Sequence, residues 1–188
     1  MSPDGGIPRR AHFYNGDKSI LVSFFDSKEL ISWSLSSWEI VSKVRSRCRH
    51  GDSAWDPNTQ SLASWNVSTG VDVYSCDGNG TPVFTNTLAV KEVSARRNYI
   101  IWVAFAQDRK LIVHGGESRQ VYVWSIQSQK RVQILDHGHA SLVVQCVTCI
   151  SPREDFHMIA SGSSTPNDES PTIRIWSTRP KVREPVHP

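Results

Sequence analysis

Short apolar runs separated by polar turns make up most of this chain. Few segments keep apolar residues at positions i, i+3, i+4 and i+7, so the pattern does not favour amphipathic helices. The runs are instead rich in β-branched and aromatic residues, and clusters of Gly, Pro, Asn and Asp separate them. The pattern therefore predicts an all-β protein.

A repeated spacing makes this prediction more specific. A run that ends in Ser or His is followed by a second run that ends in an aromatic residue, ten positions later in three cases and fifteen in the fourth. The pairs are Ser23 and Trp33, Ser64 and Tyr74, His114 and Trp124, and Ser161 and Trp176. An apolar run with a polar turn precedes each pair, and a fourth run follows the first three. Four strands in a unit of this length match a β-propeller blade of about 40–45 residues with loop insertions.

A β-sandwich of short strands is the alternative architecture, but sandwiches do not repeat an anchor with a fixed spacing. The repeat places four four-stranded antiparallel blades at about 11–45, 46–88, 89–136 and 137–178. We expect residues 1–10 to be an N-terminal extension or the remnant of a preceding blade. We expect residues 179–188, which include three prolines, to be a C-terminal tail.

The chain resembles the WD40 repeat family. A tryptophan lies where the family has its Trp-Asp pair, although Ser replaces the Asp each time, at Trp33, Trp124 and Trp176. Gly138-His139 matches the family's Gly-His dipeptide, and Ser151-Pro152-Arg153 matches its turn between the first two strands. The resemblance implies that the fourth repeat contains a structural hydrogen-bonded tetrad of His139, Ser161, Asp168 and Trp176.

The resemblance also implies a ring of about seven blades. Four blades would then be an incomplete ring, a fragment of a larger propeller, with open blade edges through which the chain could self-associate.

Charge and candidate chemistry change this picture little. The net charge is only +3, and the longest apolar run of seven residues is far shorter than the roughly 20 residues of a membrane helix. We therefore expect no membrane span, and four cysteines without a secretory signal favour a cytoplasmic or nuclear protein. Cys146 and Cys149 form a C-x-x-C pair, but on a strand they would lie on opposite faces as small core residues. No constellation favours catalysis or a cofactor, so we expect a non-enzymatic protein.

A basic stretch is the sharpest local feature. Lys43, Arg45, Arg47 and Arg49 alternate along the chain, so an extended backbone would place them on one side. We expect this segment to lie on one propeller rim with the other candidate partner-binding residues, which are Arg96, Arg97, Glu117, Arg119 and His137. A protein-interaction scaffold is one hypothesis, and a phosphate- or nucleic-acid-binding module is the alternative. A third interpretation is a solvated outer strand whose charges prevent edge pairing.

Overall fold

The computed structural model describes residues 6–90, 99–107, 110–138, 143–164 and 171–178. Every regular element in these ranges is a β-strand, and the strands form four antiparallel sheets. The prediction of an all-β architecture of successive propeller blades, arranged as an open and incomplete ring, is confirmed. Within the described ranges, no helix has the length and apolarity needed to cross a membrane.

The first two blades follow the predicted order of four strands. Blade 1 consists of β1 (Pro8–Tyr14), β2 (Ser19–Phe24), β3 (Glu29–Ser34) and β4 (Ile40–Arg45). Blade 2 consists of β5 (Ser53–Asp56), β6 (Ser61–Trp65), β7 (Gly70–Cys76) and β8 (Pro82–Ala89). The first strand begins at Pro8, so three residues of the expected N-terminal extension belong to blade 1.

The next two blades differ from each other in the number of described strands. Blade 3 consists of β9 (Val103–Ala106), β10 (Leu111–His114), β11 (Gln120–Ser125) and β12 (Arg131–Asp136). Blade 4 has three described strands, β13 (Val143–Arg153), β14 (Phe156–Ser164) and β15 (Ile173–Ser177). Residues 179–188 lie outside the described ranges.

The aromatic residues of the repeat occupy one equivalent position on the third strand of each blade. Opposite them on the second strand stand four equivalent aliphatic residues, in the pairs Ile20 with Trp33, Leu62 with Tyr74, Ile112 with Trp124, and Ile159 with Trp176. Two positions after Leu62, Ile112 and Ile159 come Ser64, His114 and Ser161. The corresponding residue in blade 1 is Val22, not Ser23, because the turn before Trp33 is one residue longer than a spacing of ten implies.

A β-bulge recurs beside this aromatic residue. The pairing between the third and fourth strands shifts at Trp33, Tyr74 and Trp124, which are the aromatic residues of the three four-stranded blades. A bulge inserts one unpaired residue and increases the local twist. The fourth strand is therefore joined to each sheet by a ladder that is broken at the same place.

The turns at the two ends of the blades are also built alike. At one end, the backbone N–H of Ser46, Val90 and His137 donates to the carbonyl of Lys28, Thr69 and Arg119, over 2.8–2.9 Å. At the other end, the N–H of Leu35, Cys76, Ile126 and Thr178 donates to the carbonyl of Lys18, Gln60, Lys110 and His157. The first set joins the second turn of a blade to the segment leaving its fourth strand, and so fixes the loops of one rim.

Apolar clusters between neighbouring sheets hold the blades together. Leu21 of blade 1 packs with Leu62 and Tyr74 of blade 2, and Val73 of blade 2 packs with Ile112 of blade 3. The opposite face of blade 3 packs in the same way on Trp176 and its neighbours in blade 4. In each junction, the face that carries the aromatic residue packs on the preceding blade.

Polar contacts link the first strands, which succeed one another along the inner side of the arc. The buried Asp52 of blade 2 accepts the N–H of Val103 in blade 3 at 3.2 Å, and the guanidinium of Arg10 in blade 1 lies 3.8 Å from its carboxylate. One carboxylate thus connects three blades. Burial raises the pKa of Asp52, while these contacts oppose the rise.

The junction between blades 1 and 2 yields a test of the stacking. Leu21 is 1% exposed within that junction, so Leu21→Ala should lower the free energy of unfolding by about 2–5 kcal/mol through lost contacts and a residual cavity. Urea titration followed by tryptophan fluorescence measures the change. Val132→Ala, at a residue 55% exposed on β12, is the control and should change it by no more than about 0.5 kcal/mol. Equal effects of the two substitutions would contradict the packing described here.

Candidate functional site

The residues from Lys43 to Arg49, named here the basic rim, run from the end of β4 into the loop before β5. Their burial alternates along the chain. Lys43, Arg45, Arg47 and Arg49 are exposed, and the residues between them are partly buried. The structure therefore exposes all four cations along a segment that leaves β4 at Arg45 and bends at Arg47 and Cys48.

Inward-facing groups fix the backbone of the basic rim. Ser46 donates its N–H to the carbonyl of Lys28 at 2.8 Å, and its hydroxyl lies 2.6 Å from the carbonyl of Cys48. Beyond the rim, the buried His50 is hydrogen-bonded through Nδ1 to Ser64 Oγ at 2.7 Å. Gly51 follows, and a Cβ there would come within 2.7 Å of Trp65, so the close approach requires glycine.

The outward side chains have partners that differ in kind. Lys43 forms an ion pair with Glu29 at 3.1 Å. The guanidinium of Arg47 lies over the ring of Phe84, and that of Arg49 lies over the ring of Phe25, at 5.8 and 5.3 Å from the ring centres. Cation–π contact restrains a guanidinium while leaving the N–H groups on its edge available to other acceptors.

A groove of about 360 Å³ opens beside the basic rim at the junction of blades 1 and 2. Arg45 and Arg47 stand on its wall, and Asp72 and Tyr74 line it too. Asp72 is 4% exposed and accepts hydrogen bonds from Asn66 and Thr87, both at 2.7 Å. Burial raises the pKa of Asp72, and these hydrogen bonds together with Arg47 oppose the rise.

Two further candidate residues belong to another junction. Arg119 lies in the turn before β11, where it forms an ion pair with Asp136 at 3.5 Å and donates to the carbonyl of Gly138 at 3.0 Å. Glu117 is half-buried in the same turn. This turn joins β10 to β11 within blade 3 and contacts blade 4, where the N–H of Val144 donates to the carbonyl of Gly116 at 2.9 Å, so these residues are not part of the basic rim. Arg96 and Arg97 lie outside the described residues.

His137 is buried rather than exposed on the rim, which corrects its expected role. The indole N–H of Trp176 donates to Ser161 Oγ at 3.0 Å, and His137 Nε2 lies 2.6 Å from the same oxygen. Because Ser161 accepts from Trp176, its own proton can be donated to a neutral His137. Burial, followed by the charge of Arg174, lowers the pKa of His137 and favours that neutral form.

The histidine that bonds Ser161 is thus His137. His139, which the Gly-His match selected for this role, and Asp168 lie outside the described residues. Sequence reasoning also missed His50, which bonds Ser64 in blade 2. A signal for both was present, because His50 and His137 each precede a glycine shortly before the first strand of a blade.

Blade 3 satisfies its tryptophan in another way. His114 replaces the serine of the second strand, and its Nε2 accepts the indole N–H of Trp124 at 3.0 Å. Its Nδ1 then carries the proton and donates to the carbonyl of Gly115. Burial lowers the pKa of His114 to about 4, so the acceptor stays neutral.

The cysteine pair forms no site on the described residues. Cys146 is exposed, whereas Cys149 packs between blades 3 and 4, where burial raises the pKa of its thiol to about 12. Cys146 stands opposite Gly162 on β14, and Cys149 stands opposite Ile159. Because Gly162 and Ile159 are three positions apart on one strand, the two cysteines lie on opposite faces of the sheet. Across the described ranges, no group of three His, Cys, Asp or Glu side chains could hold a metal ion.

Comparison with known proteins shows a similarity that covers part of the chain. No family model matches the chain. The chain is 37% identical over 79 residues to a WD repeat-containing protein WDS homolog of Arabidopsis thaliana. The match covers 42% of this chain and 13% of the plant protein, so the chain spans a small part of that relative's length. This similarity and the blade-like sheets together fit a WD40-like fold.

The neutral histidine of blade 3 predicts how stability depends on pH. The pKa of His114 is about 4 in the folded chain and near 6.5 when unfolded, so the unfolded state binds more protons between these values. The free energy of unfolding should therefore fall as the pH drops from about 6.5 toward 4. His114→Gln keeps an acceptor for Trp124 and removes this titration. The slope of the free energy of unfolding against pH should therefore be smaller in the variant, by up to about 1.4 kcal/mol per pH unit.

Urea titrations of both proteins at about pH 7.5 and pH 5.5 measure this difference. The other buried histidines remain in both proteins, so the comparison isolates His114. Equal pH dependence in the parent and the variant would show that His114 does not stay neutral in the fold.

Proposed function

We propose that this protein is a non-enzymatic interaction scaffold of the WD40-repeat type that binds other proteins through the basic rim. The observation that carries the proposal is the alternation along the rim. Four cations point outward, while the residues between them are turned inward and anchor the backbone. A rigid framework that presents such a row loses little conformational entropy when a partner binds.

The charge of the row defines the chemistry of the partner. Lys43 and Arg45 are alternate residues of β4, so they lie about 6.5–7 Å apart, and the bend at Arg47 and Cys48 carries the row on into the loop. A partner segment rich in Asp or Glu matches this row in charge. Each arginine can meet one carboxylate, because the planar guanidinium can donate two parallel hydrogen bonds to it.

The contacts of the arginines support this assignment. Arg47 and Arg49 rest on aromatic rings, which hold the guanidinium groups in place, and the charge of Arg47 also acts on the carboxylate of Asp72. Lys43 is already paired with Glu29, so the three arginines are the better candidates for partner contacts.

The test is a charge reversal of the three arginines. Arg45→Glu, Arg47→Glu and Arg49→Glu together should weaken binding of a peptide with alternating Glu and Ser at least tenfold, because attraction becomes repulsion. Fluorescence anisotropy of the labelled peptide measures the dissociation constant. Lys18→Glu, Lys110→Glu and Lys130→Glu together are the matched control. They change the net charge equally at exposed positions on the opposite rim and should leave binding within about twofold.

Three outcomes would contradict the proposal. Equal weakening by the two triple variants would show a response to net charge alone, and unfolding of the first variant would assign the arginines a structural role. The third outcome is measured with a labelled single-stranded oligonucleotide. If it binds more tightly than the peptide, with a logarithmic salt slope of about −2 for three neutralised phosphates, the nucleic-acid alternative replaces the scaffold.

A further inference from the structure

The outward face of blade 4 is apolar and exposed. Ile173 and Ile175 on β15 are 78% and 67% exposed, and Ile150 on β13 is 60% exposed. Ile150 stands opposite Met158 of β14, and Ile175 stands opposite Ala160. Strand pairing therefore places these side chains on one face of the sheet, away from blade 3.

The equivalent residues of the inner blades are buried. By register, Ile173 and Ile175 correspond to Val71 and Val73 of blade 2, which are 0% and 8% exposed. They also correspond in blade 3 to Val121 and Val123, which are 0% and 2% exposed. In both inner blades the next blade along the chain covers this face.

The outward face of blade 1 is the counterpart of this surface. Phe13 is 62% exposed and corresponds by register to Trp55 and Phe105, which pack into the clusters at the junctions before blades 2 and 3. Phe13 lies beside Ile20, which pairs with Trp33. Blade 1 thus presents the aromatic-bearing face, which in every later blade packs on the blade before it.

The chain therefore exposes both halves of the junction that it uses three times internally. We propose that a second copy of this chain covers both faces. Blade 4 of each copy packs on blade 1 of the other, and the two arcs close into a two-fold symmetric ring of eight blades. Eight lies within the roughly 4–8 blades that propellers contain. This assembly does not rest on the proposed function of the basic rim.

Symmetry makes the arrangement self-limiting. The junction joins two different faces, and such heterologous contacts polymerise unless the rotation closes. Two copies form the same junction twice, so neither apolar face remains open. The two junctions must also break together, which favours a dimer that resists dilution.

The first experiment measures the mass of the purified full chain by size exclusion with light scattering over a range of concentrations. We expect twice the mass of one chain, persisting on dilution. Phe13→Arg alone and Ile175→Arg alone should each give the mass of one chain, because each places a charge in both junctions. Val132→Arg is the matched control, since Val132 is an exposed apolar strand residue at 55% exposure on neither face, and it should stay dimeric.

Mixing the two variants gives the sharper test. A dimer of one Phe13→Arg chain and one Ile175→Arg chain retains one unaltered junction, between Ile175 of the first and Phe13 of the second. The mixture should therefore recover the two-chain mass, with a weaker dissociation constant than the parent. Recovery also shows that both variants are folded.

The results that overturn the proposal are distinct. A parent chain of single mass at every concentration would leave these faces for blades from another source. If only one of the two single variants becomes monomeric, like faces pair, and the head-to-tail ring is wrong. A ladder of masses that lengthens with concentration would show that two copies do not close.

Discussion

The packing of one sheet on the next is the interaction on which the rest of this structure depends. Each blade is a sheet with two apolar faces, so no blade can remove its own hydrophobic surface from water. Tyr74 on one face of blade 2 contacts blade 1, while Val73, its neighbour in sequence, contacts blade 3. Alternation along a strand, which elsewhere separates a core face from a solvent face, here separates two cores.

The buried polar groups differ from one blade to the next, although the sheets pack in the same way. In blades 3 and 4 a tryptophan indole must find an acceptor between two sheets, and the acceptors differ. Blade 4 uses Ser161 backed by His137, and blade 3 uses His114 directly. Burial lowers the pKa of both histidines and favours their neutral form, because a charged imidazole in these junctions would lose its hydration.

Features that depend on one strand could be predicted from the sequence. Contacts between segments that are distant in sequence could not. The strands, their order and the outward alternation of the basic rim all follow from local periodicity. The bonding of His137 to Ser161 does not, because it joins a loop to a strand that is 24 positions away in sequence. The Gly-His match selected His139, which lies outside the described residues, whereas the ring that bonds Ser161 belongs to His137, in the His-Gly order. The spacing of ten selected Ser23 as the partner of Trp33, whereas the register makes Val22 the equivalent residue. The turn of blade 1 has one additional residue, which the sequence pattern did not show.

The bulge beside each third-strand aromatic divides the sheets into two parts that can change independently. The first three strands of a blade carry the residues of the junctions, whereas the fourth lies beyond an interrupted ladder. An inserted or deleted residue in the outer strand can be absorbed at the bulge without shifting the aromatic residue or its neighbours. The length and register of the first three strands are therefore fixed by the packing between blades, whereas the fourth strand can vary in length and composition.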